Sequence, residues 1–341
     1  MRHRQRASPV THGATATATR DGALTVAVAA TWGVCFVVLG ALALAGDPLL
    51  LAAGRALLGG AVLAGVTLWR GGPRRLVTPG VGWRVVALLA LLNGATALGA
   101  MFLAAGRTDA AAATVVGNSQ PVLLAVAGVA LFGERIGRRG AAGIALGAAG
   151  VVLVAAGSRD GGADPGGLAL ALLSSAAPAG GTVLMRRLVG HVDLLVVTAW
   201  QFLAGSVVLL VASALLEAPF VVRLDGAGVL ALLFLGVVGT GVAYLAWFGL
   251  LVRVPLARLG SALYIVPIAG VAADILVGGR VGPAELVGLA VMLAGVALAA
   301  WRPAAGSGAV TSGATGMAAR TRPSSAPLSR TSGTSHSLAA G

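Results

Sequence analysis

Apolar runs of about 20 residues recur along the chain from Ala23 to Trp301, separated by short stretches that carry Arg, Asp, Pro or Gly. A helix rises ~1.5 Å per residue, so runs of this length match the ~30 Å hydrocarbon core of a bilayer. No run alternates apolar and polar positions in the way a membrane β-barrel strand does. With charges and Gly/Pro clusters as boundaries, the pattern predicts ten transmembrane spans: 23–45, 49–69, 85–105, 110–132, 140–157, 167–185, 194–216, 228–250, 256–278 and 284–301. The expected fold is therefore an all-α integral membrane protein.

Composition agrees. Hydrophobic residues make up 57% of the 341 and charged residues 10%, far below the ~25% charge of a soluble domain. The net charge of +13 comes from 24 Arg, with no Lys. These arginines sit singly or in twos and threes between apolar runs, so nucleic acid is not an expected partner; the lipid bilayer is. With the N-terminus cytoplasmic, alternate loops and both tails hold 19 arginines, and the opposite loops hold only Arg107, Arg159, Arg223 and Arg280. That bias satisfies the positive-inside rule and places both termini in the cytoplasm, in a bacterial inner membrane. Two tails fall outside the pattern, a basic segment 1–22 and a Ser/Thr/Gly/Pro-rich segment 302–341, both expected to be disordered. The "ALALAG" near residue 45 resembles a signal cleavage site, but the apolar stretch from Ala23 to Leu39 is long for a signal peptide and reads as a retained first span.

The chain also repeats itself. "LFGERIGRRGAAGIALGAAGVVLV" (131–154) aligns with "LVGGRVGPAELVGLAVMLAGVALA" (276–299), sharing a Gly-Arg-Gly spacing, and Pro121 aligns with Pro267. Five spans per copy, an odd number, force the two copies to face opposite ways across the bilayer. The expected units are 23–157 and 167–301, joined by an external linker at 158–166, and they form two inverted five-helix repeats of the sort that bracket transporter substrate sites.

"TWGVCFVVLG" in the first span, "FGERIG" closing the fourth, and "TGVAYLAWFGLL" followed by "ALYIVPI" resemble the EamA-type members of the drug/metabolite transporter superfamily. The resemblance runs from about Ala23 to Trp301. It implies a central cavity between two inverted repeats and export of small metabolites, such as amino acids, or of toxic compounds. One departure stands out. Relatives usually close the ninth helix with Gly-Glu, whereas Gly278 and Gly279 stand here, so if that acid gates or couples transport in relatives, this chain does it differently or not there.

Asn118, Ser119, Gln120 and Pro121 interrupt an otherwise apolar span. Proline removes a backbone donor and frees a carbonyl. Two readings are open: interhelical hydrogen bonding, worth ~0.6 kcal/mol on average, or a cavity wall that binds substrate. Pro267, with Ser261 and Tyr264 nearby, repeats the arrangement in the ninth span. Thr240, Tyr244 and Trp247 share one face of the eighth. Trp32 and Gln201 are further cavity candidates. Arg55 and Asp274 lie at similar depth near the outer surface and suggest an outer gate or clamp, although Arg55 could equally snorkel to the interface. "GIALG" (143–147) permits close packing within the monomer or at a homodimer face. The lone Cys35 reads as a small core hydrophobe. No catalytic residues, metal ligands or cofactor motif emerge.

The expected function is a secondary transporter, exporting a small neutral or zwitterionic, amino-acid-like or drug-like compound by alternating access. Uptake or exchange on the same scaffold and a non-transporting scaffold are the alternatives. A cysteine placed at Asn118 separates transport from scaffold. Labelling from the aqueous phase is expected in a transporter, and inertness from both sides marks a sealed core.

Overall fold

A computed structural model describes residues 10–42, 45–77, 80–107, 116–117, 119–132, 137–157, 164–254, 259–260, 262–278 and 282–300. Expectations for Asn118, Ser261, the tail 302–341 and most of the linker fall outside them. The described chain is helical: α1 (Val10–Leu42), α2 (Pro48–Val77), α3 (Trp83–Ala105), α4 (Gln120–Phe132), α5 (Arg138–Gly157), α6 (Pro165–Leu188), α7 (Leu194–Leu216), α8 (Gly226–Arg253), α9 (Ile265–Leu276) and α10 (Pro283–Ala300). Among the described residues, six helices are long and apolar enough to cross a membrane, α1 from Thr19, α2, α3, α6, α7 and α8. The protein is a multi-pass membrane protein.

Local chemistry starts and stops these helices. Asp164, Asp193 and Asp225 precede α6, α7 and α8, and each carboxylate accepts from backbone N–H groups of the first turn. Glu217, just past α7, does the same for a different helix, accepting from Leu49 N (2.7 Å) and Leu50 N (3.1 Å) at the start of α2. Gly72 takes a left-handed φ of 70° and Pro73 follows it, so the straight part of α2 stops close to the predicted boundary at 69. α1, by contrast, reaches back to Val10, into the segment read from sequence as a disordered tail. Once the apolar part of α1 has nucleated the helix, an Ala/Thr stretch extends it at little cost.

The second departure concerns the prolines. α4 has 13 residues and α9 has 12, too short to cross a ~30 Å core alone. Ser119 is outside helix, and Leu263 and Tyr264 form a turn. Pro121 and Pro267 therefore stand in the first turns of α4 and α9 rather than in mid-helix as expected from spans 110–132 and 256–278. A first-turn position needs no backbone donor, so proline ends the preceding segment and begins the next without an orphaned bond.

Two other helices are irregular in matching places. α3 contains a π segment at Ala90–Thr96, and α8 contains one at Phe234–Val242. Each bulge is packed by a glycine-bearing neighbour. An added Cβ at Gly205 on α7 would lie 2.5 Å from Gly94 Cα on α3, and one at Gly59 on α2 would collide with Thr240 on α8.

The pairings are exchanged when the two halves are exchanged. α1 packs on α9 and α6 on α4; α2 packs on the α8 bulge and α7 on the α3 bulge; α5 packs on α10. Directions are exchanged too. Arg253 pairs with Asp21 (3.2 Å), Arg75 with Asp193 (2.6 Å), and Arg186 Nη1 donates to Leu251 O (2.6 Å). One end of the bundle therefore gathers the starts of α1 and α7 and the ends of α2, α6 and α8. Trp83 at the start of α3 joins that end through an edge-to-face contact with Trp200 (5.2 Å). At the other end, Gly46 bridges to Val222 and Asp47 N donates to Val221 O. Thus α1 opposes α6, α2 opposes α7, and α3 opposes α8.

The "GIALG" glycines are spent inside the monomer. An added Cβ at Gly295 on α10 would lie 2.6 Å from Gly143 O and 2.7 Å from Gly147 N. Because Gly205 meets backbone rather than a movable side chain, Gly205→Val should overpack the α3–α7 contact at a cost of roughly 1–3 kcal/mol. The expected result is a clearly lowered melting temperature in detergent, while Gly65→Val, where an added Cβ meets nothing within 4 Å, leaves it unchanged.

A central cavity bounded by two broken helices

The breaks before α4 and α9 converge on one cavity of about 70 Å³, lined by Gln120 and Pro121 from the first and by Leu263 and Val266 from the second. That is room for several waters. α1 contributes Trp32 and Cys35, α2 Arg55, α3 Met101, α6 Ser174, Pro178 and Thr182, and α8 Tyr244 and Trp247.

Arg55 dominates the electrostatics. Only 3% of it is exposed, although it lies seven residues into α2, so it does not snorkel outward. Its Nε donates to Thr240 Oγ1 (3.0 Å), and its Nη1 reaches Met101 Sδ (3.3 Å). Thr240 in turn donates its own proton to Leu235 O (2.9 Å), five residues back across the π bulge. The bulge thus turns a threonine hydroxyl into an acceptor held for the guanidinium. Gly239 O, in the same bulge, accepts from Trp32 Nε1 (3.0 Å).

Aromatic rings close one side. Trp32 sits 5.1 Å from Trp247 and 5.5 Å from Tyr244, and Tyr244 packs edge-on to Phe202 (4.7 Å). Beyond Tyr244 lies a larger cavity of about 560 Å³ that opens among Arg70, Arg75, Asp193 and Arg253 at the arginine-bearing end. Tyr244 lines both spaces and so stands in the septum between them.

Of the residues singled out in the sequence, Trp32, Gln120, Pro121, Tyr244, Trp247 and Arg55 meet at this cavity, with Thr240 holding Arg55. Ser119 is buried at the first break, its hydroxyl without a partner among the described residues. Gln201 is elsewhere, accepting from Asn93 Nδ2 (3.0 Å) on α3. Tyr264 points to α5, where an added Cβ at Gly147 would lie 2.9 Å from its hydroxyl. Pro267 is buried in the α9 first turn. Arg55 does not pair with Asp274, which is half-buried near the end of α9 with no ion pair among the described residues; similar depth did not make them neighbours, because Arg55 is turned into the cavity onto Thr240 and Met101, and Asp274 does not line that cavity. Sequence reading passed over Pro178, a proline inside α6, and Asn93, a lone amide inside an apolar span; both carried a visible signal.

The EamA-like transporter family matches the chain over residues 22–156 and 165–301. The chain belongs to that family. Its two matched segments divide where the exchange of helix pairings divides the fold. A WAT1-related chloroplastic protein of Arabidopsis thaliana is 30% identical over 282 residues, covering 78% of this chain and 66% of its own length, so the chain spans just under two thirds of that relative. The uncharacterized transporter YvbV of Bacillus subtilis is 30% identical over 75% of this chain and 83% of its own. A protein described as a probable amino-acid metabolite efflux pump of Salmonella typhimurium is 28% identical over 54% of this chain and 65% of its own. A solved crystal structure has a similar fold, at a TM-score of 0.66 and 24% identity, covering 82% of this chain and 97% of that one.

Cys35 is a native probe of the septum, being 3% exposed and on the cavity wall. Tyr244→Ala should join the two spaces and raise the labelling rate of Cys35 by a membrane-impermeant maleimide about tenfold, a barrier change of ~1.4 kcal/mol. Tyr244→Phe, which keeps the ring, should label like the wild type.

Proposed function

We propose that this chain is a secondary transporter that exports a small neutral or zwitterionic compound, amino-acid-like or drug-like, by alternating access. In this reading it crosses the membrane ten times as two inverted five-helix repeats, in a bacterial inner membrane with both termini in the cytoplasm. The observation that carries the proposal is the cavity bounded by the two helix breaks, which shares Tyr244 with a wide opening at the arginine-bearing end. Irregular backbone inside a membrane is tolerated where it lines a polar space, and transporters place such breaks at the substrate site.

Opposed helix directions supply the mechanism. Two halves packed by exchanged pairings have two equivalent arrangements, one the mirror of the other in access. Shifting between them opens the cavity first to one face and then to the other. The orientation is supported by the arginines around the wide opening, and Trp69, 84% exposed at the same end of α2, suits a membrane–water interface there. Export of amino-acid-like cargo is further supported by the efflux pump named above.

Cells expressing the chain are compared with vector controls by untargeted metabolite profiling of medium and cytoplasm. A small set of compounds should accumulate in the medium and fall in the cytoplasm. The reverse sign would make it an uptake carrier, and no change in any pool would remove the transport reading.

A further inference from the structure

We infer that Arg55 is the carboxylate-binding residue of the cargo site, so that the transported compound carries a single carboxylate. This rests on the transport reading and narrows its substrate class.

The guanidinium is permanently charged and buried among α1, α2, α3 and α8. Among the described residues no acid pairs with it, and none lines the cavity it faces. Of its five N–H donors, the described bonds engage one on Nε and one on Nη1, and Nη2 has no hydrogen-bond partner among the described residues. Neither partner carries charge. Thr240 gives a hydroxyl lone pair and Met101 a thioether sulfur, a weak acceptor. Together they fix the plane of the guanidinium without neutralising it.

A buried cation with no acid beside it among the described residues is among the costliest groups a membrane protein can hold, and a charge kept at that cost marks a functional site. Arg55 is thus oriented and shielded from bulk water, with an open edge on the cavity. A planar fork in that state matches the two oxygens of a carboxylate. One cation offsets one negative charge, which disfavours phosphorylated and polyanionic cargo. The faces of Trp32 and Trp247 on the same wall suit the apolar part of the compound, or an ammonium group through cation–π attraction.

The test uses the full-length chain and the profiling comparison above, adding Arg55→Gln and Arg55→Lys and measuring the melting temperature of each purified protein. Compounds whose pools depend on the wild type should carry a carboxylate. Arg55→Gln should reduce their transport at least tenfold, since a site built to bond a group discriminates strongly when that bond is lost. It should melt at or above the wild-type temperature. Arg55→Lys, which keeps the charge but loses the fork, should retain part of the transport. Cargo without a carboxylate, or full transport of carboxylates by Arg55→Gln, overturns the assignment while leaving transport intact. A lowered melting temperature for Arg55→Gln with transport per folded molecule preserved makes Arg55 a structural clamp and also overturns it. If Arg55→Gln does not fold, Arg55→Lys decides: wild-type transport rejects the assignment, and a severalfold loss at unchanged stability supports it. No pool change with the wild type fails the transport reading itself.

Discussion

Lipid offers helices no hydrophobic reason to associate, so this bundle depends on how closely its backbones approach. Glycine is the means. Gly205 lies against Gly94, Gly59 against the α8 bulge, Gly295 against the α5 backbone, and an added Cβ at any of them would strike a neighbour. Dispersion across such short distances is the main attraction available in a bilayer. The 52 glycines that weaken a helix in water are affordable here, because the bilayer already enforces helix by denying the backbone any other hydrogen-bond partner.

Close approach has a geometric by-product. Where α2 and α7 press on α8 and α3, those helices widen into π segments, and the widened turn at Phe234–Val242 releases polar backbone toward the cavity. Thr240 spends its proton on Leu235 O and offers its lone pair to Arg55, while Gly239 O takes the Trp32 indole. The packing that holds the bundle and the polar wall of the cavity are thus one feature seen from two sides. π bulges are frequent at functional sites.

Much of this was written in the sequence. Run length, the Arg alternation and the 145-residue repeat predict helical spans and two related halves, and the family match divides the chain between them. Single polar or aromatic residues in apolar spans, Trp32, Gln120, Tyr244 and Trp247, do mark the cavity. What failed was any inference needing a neighbour. Arg55 and Asp274 have similar depths by count, yet Arg55 lines the cavity and Asp274 does not, and depth is all that counting along a helix provides. Gln201 looked like cavity lining until Asn93 claimed it. The prolines were visible, yet whether proline kinks a helix or begins one depends on the preceding backbone, which periodicity does not report. The α3 and α8 bulges arise from contacts with other helices and leave no local pattern.

The two ends of the bundle are fastened by different physics. At one, the chain is stitched by backbone bonds between the loops at Gly46 and Val222 and by the Glu217 carboxylate on α2. At the other, around the wide opening, the described fasteners across helices include Arg75–Asp193 and Arg253–Asp21, partly open to water. Ion pairs in contact with solvent fade as dissolved salt crowds them, within a Debye length of ~8 Å at physiological strength. Backbone stitches do not. The two mouths therefore answer differently to dissolved salt: the ion pairs around the wide opening weaken as ionic strength rises, and the stitched end keeps its bonds.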